Sequence, residues 1–249
     1  IERATPAIKI YHQYPDWTVL LDVWTVDQFS GELMSCEGQP LKWVMPEKLT
    51  SYHFPAANLP IINVARLPEY YAILDGDNTD NLGANLQIIL NKGVKLIQLR
   101  AKFLRTKELE KFFKLAYAMC KKYGADLLLN SVHQQKKALN ADGLHLTGED
   151  LMKLEQKPEQ YGWLAASCHT VDELKHAEKM GVDFVVLAPV LQTGTHPGAK
   201  PLGWKQFEEL VSLVNIPVFA LGGMRWEDVD NAKNAGGQGI AGITVFIGL

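Results

Sequence analysis

Residues 94–129 read VKLIQLRAKFLRTKELEKFFKLAYAMCKKYGADLLL, and this stretch decides the fold. It opens with the short apolar run Val94–Leu99, continues through a helical pattern at Leu109–Lys122, and ends in the apolar run Asp126–Leu129. Both runs are nearly all apolar, as strands are when helices cover both faces of a parallel sheet. The stretch therefore predicts a strand, a helix and a second, parallel strand.

The same alternation extends outward in both directions from this unit. Six further apolar runs fit strands, namely Tyr70–Leu74, Gly143–Leu146, Trp163–Ser167, Phe184–Leu187, Val218–Leu221 and Ile240–Phe246. Further helical stretches are Val171–Met180, Trp204–Val214 and Trp226–Ala235. Eight strands in this order predict an α/β fold, a (β/α)₈ TIM barrel, over residues 68–249. The alternative is an open sheet of six strands, in which two of the runs are loops.

Residues 1–67 follow a different rhythm. Alternation with period two at Ile8–Tyr11 and the run Val19–Trp24 predict antiparallel strands. The stretch Ser51–Val64 is rich in Pro and Asn, and Ala65–Pro68 is interpreted as a linker. So short a segment does not supply a complete domain core. We therefore expect a small, mostly β piece that leaves an apolar face uncovered, or covers it with the barrel or with another copy of the chain.

Composition excludes several classes of protein. Of 249 residues, 47% are hydrophobic and 21% charged, which rules out collagen-like and disordered chains. A net charge of −3 argues against binding a nucleic acid polymer. No apolar run approaches the roughly 20 residues that a membrane helix needs.

The cysteines and the start of the chain bear on its origin. Cys36, Cys120 and Cys168 are scattered and odd in number, so they predict neither a disulfide framework nor a metal site, and they favour a reducing cytoplasm. The chain begins with Ile1 and carries no signal-peptide pattern. We expect the chain to begin partway into a longer protein. The sequence leaves the oligomeric state open, and a homo-oligomer is one possibility.

In such barrels the active site lies at the carboxyl ends of the strands. The candidates there are Gln98, Arg100 and Lys102 after the second strand, Asn130 after the third, Asp150 after the fourth, Ser167 at the fifth, Thr193, Thr195 and His196 after the sixth, Gly222 and Gly223 after the seventh, and Ile243 and Thr244 in the eighth. Arginine and lysine at one rim can face one anionic group. The glycines and the eighth-strand residues lie where such barrels hold phosphate. Two anion sites at one mouth predict two phosphorylated substrates, or one with phosphate at both ends.

Each of these features also has a purely structural interpretation. Arg100 and Lys102 could be a solvated pair, and Glu149 and Asp150 could only favour a helix start. Gly222 and Gly223 could form a tight turn. His145 is more often a core histidine than a ligand, and the adjacent Cys168 and His169 do not make a nucleophile–base pair. Convergence at one rim is what favours the functional interpretation.

Six motifs together resemble a known family. They are QLRAK at 98–102, ADGLHL at 141–146, EDL at 149–151, TGT at 193–195, ALGGM at 220–224 and GIAGI at 239–243. Residues 70–246 thereby resemble thiamine-phosphate synthase and its thiazole tautomerase relatives. The family joins a pyrimidine diphosphate to a thiazole phosphate and releases pyrophosphate.

This resemblance implies a role for each matching position. It assigns Gln98, Arg100, Lys102 and Asn130 to the pyrimidine diphosphate, Asp150 to Mg²⁺ and Ser167 to the pyrophosphate region. It assigns Thr193 and Thr195 to the thiazole phosphate, and Gly223, Ile243 and Thr244 to the cup of backbone amides around that phosphate.

The sequence departs from the family pattern at three places. Ser131 stands where the family usually has an Asp that is the second Mg²⁺ ligand, and His196 stands where the family usually has a Lys that contacts the pyrophosphate. Thr147-Gly148 replaces the usual Gly-Gln. Losing a carboxylate weakens a Mg²⁺ site, since this ion prefers hard oxygen ligands in strict geometry.

Residues 10–67 resemble the C-terminal half of a MutT-type Nudix hydrolase. The motifs are YPD at 14–16, EGQP at 37–40, WV at 43–44 and FPAAN at 54–58. The resemblance places Glu37 near a metal and Asn58 at an oxidised guanine base. The Nudix box itself is absent, so the chain resembles the C-terminal part of a Nudix–synthase fusion with a boundary between residues 67 and 68, and Glu37 and Asn58 are not expected to reach the barrel mouth.

Three functions therefore stay open. The first is a Mg²⁺-dependent thiamine-phosphate synthase. The second is a thiazole tautomerase in which His196 supplies acid–base catalysis without a metal. The third is a non-catalytic phosphate-binding barrel attached to a MutT-type hydrolase, motivated by Ser131 and His196.

Overall fold

Residues 1–67 form a β-hairpin followed by short helices. The structure, a computed structural model, describes residues 1–133, 139–194, 198 and 200–248. The elements of the first segment are β1 (Arg3–Gln13), β2 (Thr18–Gln28), 3₁₀ helices at Pro46–Ser51 and Ala56–Asn58, and α1 (Leu59–Arg66). Strands β1 and β2 pair antiparallel, with Ile10 opposite Leu21, so the predicted hairpin is confirmed and extends further than the alternation indicated.

The predicted linker is wrong, because α1 occupies its first half. Pro60 lies in the first turn of this helix, where an N–H would have no partner within the helix. Pro60 is therefore compatible with the start of α1 and does not break it. Leu67, directly after α1, is buried with Tyr71 in the barrel interior. The segment therefore packs against the barrel at the point where the sequence predicted a linker.

The hairpin rests one face on the barrel and exposes the other. Ile8 and Ile10 are buried, and the Tyr11 amide donates to Asn215 Oδ1 at 2.7 Å. Elsewhere on the hairpin, Trp17 in the turn and Trp24 on β2 are 60% and 50% exposed. The hairpin thus covers part of its apolar surface with the barrel, one of the two arrangements expected, and leaves the rest uncovered.

Eight parallel strands close into a barrel. They are β3 (Tyr70–Leu74), β4 (Leu96–Leu99), β5 (Asp126–Asn130), β6 (Gly143–Leu146), β7 (Trp163–Cys168), β8 (Phe184–Leu187), β9 (Val218–Leu221) and β10 (Gly239–Gly242). Each pairs with its neighbour in the chain, and β10 returns to β3 with Ile240 beside Tyr70. The (β/α)₈ prediction is confirmed, and the six-stranded open sheet is excluded.

Helices surround this barrel. They are α2 (Thr79–Asn91), α3 (Thr106–Lys122), α4 (Gly148–Met152), α5 (Val171–Lys179), α6 (Gly203–Val211) and α7 (Asp228–Asn234). Residues with a 3.6-residue spacing on α3, such as Leu109, Phe113 and Ala116, are buried against the strands. The barrel interior holds a second core that includes Tyr71, Phe184 and Phe219. The barrel is therefore a packed layer of side chains and not a pore.

The last predicted strand is too long. The apolar run Ile240–Phe246 forms a strand only to Gly242, after which the chain turns and the amide of Ile247 donates to the carbonyl of Thr244. A Cβ at Gly242 would collide with the side chain of Val245, so the glycine lets the chain fold back here. Apolarity alone did not reveal this turn. It places Ile243 and Thr244 beyond the end of β10, at the barrel mouth.

Candidate active site

Two adjoining cavities lie at the carboxyl ends of the barrel strands. The first has a volume of about 310 Å³. It is lined by Ile73, Gln98, Arg100, Lys102, Asn130, Thr147, Gly148, Ser167, His169, Ala188, Pro189, Thr193, Leu221, Gly222 and Ile243. Eight of the predicted site residues are among them, from six different strand ends. The convergence that the sequence predicted is therefore present in the structure.

The second cavity, of about 390 Å³, has four glycines in its lining. Gly223 and Thr244 line it, and it shares Thr193, Gly222 and Ile243 with the first cavity. Gly222 and Gly223 have φ angles of +101° and +68°, a region that favours glycine. A Cβ at Gly223 would also collide with the carbonyl oxygen of Gln192. The glycine pair is required by the geometry of this wall.

Arg100 is held in place by a carboxylate. Its Nη1 lies 2.8 Å from Asp75 Oδ2, and both side chains are about one quarter exposed or less. The backbone carbonyl of Arg100 contacts His133 Nε2 at 3.1 Å. Arg100 is thus partly buried and oriented, unlike the fully solvated side chain of the alternative interpretation, whereas Lys102 is exposed at the edge of the cavity.

Asp150 lies beside the first cavity and is bound by two hydroxyl groups. Ser131 Oγ donates to Asp150 Oδ2, and Thr147 Oγ1 donates to the same oxygen at 2.9 Å. Thr147 also caps α4, since its Oγ1 accepts from the Asp150 amide. Glu149, the neighbouring carboxylate, is exposed and pairs with Lys153 at 2.5 Å. Of the two acidic residues, only Asp150 is oriented next to the cavity wall.

His145 lies in the barrel interior, directly beneath the first cavity. Its Nδ1 is 2.9 Å from Tyr71 Oη and its Nε2 is 2.8 Å from Ser167 Oγ. Burial, with a smaller contribution from the charge of Arg100, lowers the pKa of His145 to about 3. The interpretation as a core histidine with satisfied hydrogen bonds is correct, but one of those bonds reaches a cavity residue.

The adjacent Cys168 and His169 do not cooperate. Cys168 is fully buried, and burial raises the pKa of its thiol, so it stays protonated. His169 lines the first cavity, and its Nδ1 contacts the carbonyl of Ala188 at 2.8 Å. The two side chains lie on opposite faces of the end of β7.

Several predicted residues lie away from the mouth or outside the described residues. Thr195 and His196 belong to the latter. Glu37 is exposed and accepts from Gln39 Nε2 at 2.8 Å, and Asn58 precedes α1; neither lines the two mouth cavities. Within residues 1–133, 139–194, 198 and 200–248, no group of three or more His, Cys, Asp or Glu side chains is placed to hold a metal ion.

Sequence reasoning missed Asp75 and Tyr71, and it noted Thr147 only as a departure from the family pattern. Asp75 follows β3 and Thr147 follows β6, so both lie at the carboxyl ends of strands, like the predicted site residues. A carboxylate directly after an apolar strand was a usable signal for Asp75. Tyr71 gave none, because an aromatic residue inside a strand is ordinarily core.

A closed (β/α)₈ barrel with two joined cavities at its mouth, one lined by cationic and amide groups and the other by glycine backbone, defines an enzyme of the barrel class that accommodates anionic ligands. The family model described as thiamine monophosphate synthase matches residues 70–246. A protein of Aquifex aeolicus classed with the thiamine-phosphate synthases is 40% identical over 183 residues, which cover 73% of this chain and 98% of that protein. The thiamine-phosphate synthase of Caldivirga maquilingensis is 32% identical over 182 residues, 72% of this chain and 89% of the relative.

Solved structures show the same fold. The thiamine phosphate pyrophosphorylase of Pyrococcus furiosus superposes with a TM-score of 0.56 at 24% identity, covering 71% of this chain and 85% of that one. The chain belongs to the thiamine monophosphate synthase family, and it is a transferase of that family. Its relatives do not favour the tautomerase or the non-catalytic alternative, and the family model begins at residue 70, after the first segment. In the described part of the chain, no helix is both long enough and apolar enough to span a bilayer.

Proposed function

We propose that this chain joins a hydroxymethylpyrimidine diphosphate to a thiazole phosphate and releases pyrophosphate. The observation that carries the proposal is the pair of adjoining cavities, which share Thr193, Gly222 and Ile243 as a common wall. Two phosphorylated substrates held on either side of such a wall would bring their reacting ends together. Positioning of this kind supplies a large part of the rate of a two-substrate reaction.

The first cavity is assigned to the pyrimidine diphosphate. Arg100 presents a planar fork of donors that Asp75 orients, and Lys102 adds a mobile charge at the rim. Gln98 and Asn130 supply amide groups at the cavity floor, and Ser167 supplies a hydroxyl. These are donors of the kind that bind phosphate oxygens.

The second cavity is assigned to the thiazole phosphate. Backbone amides of Gly223 and Thr244, with the hydroxyl of Thr193, would hold this phosphate. The close approach of backbone that Gly223 permits supports the assignment, since a side chain there would fill the space. Thr195 is assigned to the same phosphate by its motif, and the role of His196 stays a prediction.

The oxygen groups around Asp150 fit a Mg²⁺ ion that also binds oxygens of the substrate. One carboxylate with neighbouring hydroxyls and substrate oxygens is a common set for Mg²⁺, which often binds through one or two carboxylates plus phosphates. Thr147 lines the cavity and contacts Asp150, so the carboxylate is one hydrogen bond from the cavity wall. When bound, Mg²⁺ would neutralise charge on the diphosphate.

In this reaction the main task of the protein is to stabilise negative charge, because the substrate itself stabilises the positive charge. The bond between the pyrimidinylmethyl carbon and the diphosphate oxygen breaks, and the aminopyrimidine ring stabilises the resulting cation. The thiazole nitrogen then forms the new bond to that carbon. Arg100, Lys102 and Ser167 stabilise the negative charge that develops on the departing pyrophosphate.

The experiment is a synthase assay on the purified chain with both substrates and Mg²⁺. We expect release of pyrophosphate together with a product that has the mass of thiamine phosphate, and neither without the thiazole substrate. The control is Arg100→Ala, which removes the principal cation. Release that is no faster than in this variant, or that continues without thiazole phosphate, overturns the proposal.

The first segment is proposed to be the C-terminal fragment of a Nudix (MutT-like) domain over residues 1–67, with Glu37 near its metal and Asn58 at its base-binding site. Its hairpin, with Trp17 and Trp24 exposed, supports a segment that packs against further protein. The reading frame upstream of Ile1 tests this: a Nudix box there supports the fusion, and its absence overturns it.

The buried free thiols of Cys120 and Cys168 support a cytoplasmic location.

A further inference from the structure

A chain of hydrogen bonds crosses the barrel interior beneath the first cavity. Asn130 Nδ2 donates to Gln98 Oε1 at 2.7 Å, and Gln98 Nε2 donates to Tyr71 Oη at 3.0 Å. The chain continues from Tyr71 to His145 and ends at Ser167, with the distances given above. Its five members come from five neighbouring strands, β3 to β7. Asn130, Gln98 and Ser167 line the cavity, whereas Tyr71 and His145 lie below it.

The direction of this chain is fixed at one end by a backbone amide. The amide of Val132 donates to Asn130 Oδ1 at 3.1 Å, so the NH₂ group of Asn130 must face Gln98. Gln98 therefore accepts with its oxygen and donates with its nitrogen. If the amide of Gln98 were reversed, two NH₂ groups would face each other, which is unfavourable in a buried site.

The same argument fixes the direction in which the phenol of Tyr71 donates. Its oxygen already accepts from Gln98, so its single O–H is directed to His145 Nδ1. Burial raises the pKa of Tyr71, which keeps this proton on the phenol. His145 Nδ1 is thus an acceptor and carries no hydrogen.

His145 then has one tautomer available. A neutral imidazole with an accepting Nδ1 carries its hydrogen on Nε2, which faces Ser167 Oγ at 2.8 Å. The low pKa of His145 excludes a second proton near neutral pH. Ser167 Oγ therefore accepts from His145, and its own O–H is left to point into the cavity.

We propose that Tyr71 and His145 are positioning residues that hold the Ser167 hydroxyl as a hydrogen-bond donor toward an anionic oxygen in the first cavity. That this oxygen belongs to a diphosphate rests on the proposed function. The direction of the hydroxyl does not depend on that function, because it follows from the Val132 amide and from the hydrogen bonds among the five side chains. In the reverse direction Ser167 would donate to His145 and present only lone pairs to an anion, which is repulsive.

The tautomer is tested by NMR on the full chain labelled with ¹⁵N-histidine. The chain has seven histidines, and the signals of His145 are identified by their loss in His145→Gln. We expect a hydrogen on Nε2 and none on Nδ1. In Tyr71→Phe, which removes the donor to Nδ1, we expect a mixture of the two tautomers. A hydrogen on Nδ1 in the unsubstituted chain overturns the proposal, whether or not the chain has synthase activity.

The consequence for ligand binding is tested by calorimetry with inorganic pyrophosphate. We expect Ser167→Ala to weaken binding by about ten-fold, the value of one hydrogen bond to a charged group. Tyr71→Phe keeps the ring that packs on Phe184 and should weaken binding by a few-fold. In the double variant the loss should equal that of Ser167→Ala alone, because Tyr71 acts through Ser167. Losses that multiply overturn the proposal.

The controls separate positioning from general damage. Tyr117→Phe removes a phenol that donates to Asp142 at the opposite end of the barrel and should leave pyrophosphate binding unchanged. His145→Gln can still donate to Ser167, whereas His145→Leu cannot, so binding should be largely retained in the first and reduced in the second. Equal losses in both variants, with both folded by circular dichroism, also overturn it.

Discussion

The two ends of the barrel both carry buried or half-buried polar groups, and they use them differently. At the amino end, Asp142 accepts from the Leu127 amide at 2.8 Å and pairs with Lys121 at 2.7 Å. Asp126 there accepts from Trp163 Nε1 at 3.0 Å. These groups satisfy one another, and they stabilise the barrel.

At the mouth, the chain of hydrogen bonds ends in groups that line a cavity. Asn130 and Ser167 are held from below, and Arg100 from the side by Asp75. The polar groups at the amino end therefore bond to one another, whereas those at the mouth are held by neighbouring residues and line a cavity that can take a ligand. This division is expected for a barrel whose active site lies at the carboxyl ends of the strands.

The largest effect should come from Arg100→Ala. We expect the rate of pyrophosphate release to fall by about 10²–10³-fold, the usual cost of removing one donor to developing negative charge. The matched control is Arg3→Ala, which removes an arginine that is paired with Asp27 on the hairpin, away from the mouth. An equal loss in both variants would remove the distinction between mouth and surface.

Gly223→Ala should damage the second cavity. Its positive φ and the carbonyl of Gln192 leave no room for a Cβ, so we expect about ten-fold weaker binding of inorganic phosphate and a loss of about 1–3 kcal/mol in the free energy of unfolding. Calorimetry and urea denaturation measure the two. Gly194→Ala is the control, since it lines the same cavity and no atom of the described residues lies within 4 Å of its Cβ position.

His145 should make stability depend on pH. Its pKa is about 3 in the folded state and near 6.5 in the unfolded state. Between these two pH values the imidazole of His145 takes up a proton in the unfolded chain and stays neutral in the folded chain. Stability is therefore lost as the pH falls, by about 2 kcal/mol between about pH 7 and pH 5 from this residue. Urea denaturation at both pH values should show a smaller difference in His145→Gln. An equal difference in both proteins would mean that His145 is protonated in the fold.

Asp142→Asn should act on stability alone. We expect a loss of about 1–2 kcal/mol in the free energy of unfolding, because the variant weakens charge-assisted hydrogen bonds. The rate of pyrophosphate release should not change. Asp172→Asn, on the exposed first turn of α5, should stay within about 0.5 kcal/mol of the unsubstituted protein. A reduced rate in Asp142→Asn would show that the two ends are coupled.

The fold was largely predictable because the strands are short, apolar and separated by helices. The errors lie at two local turns of the backbone. Ile240–Phe246 continues as apolar sequence past the turn at Gly242, and α1 begins in the stretch rich in Pro and Asn, where the sequence pattern predicted no helix. Both are local backbone choices that hydrophobic periodicity does not encode.

The candidate site was predictable only as a set of strand ends. The rule that strand ends converge identified Arg100, Ser167 and Gly222, but it said nothing about their partners. Asp75 meets Arg100 only after the barrel has formed, and Tyr71 was indistinguishable from a core aromatic residue. Contacts between residues distant in sequence depend on the register of the strands, which the sequence pattern alone does not give.

Barrel closure between β10 and β3 has a consequence for the order of folding. This pairing joins residues that are far apart in sequence, so its loop-closure entropy is high and it is expected to form late. Ile243 and Thr244 follow β10 directly, and the second cavity is complete only when they meet the turn at Gly222–Gly223. A partly folded chain with an open barrel could hold Arg100 and Ser167 in place and still lack the phosphate cup. Phosphate affinity, followed during refolding, would then report the moment at which the barrel closes.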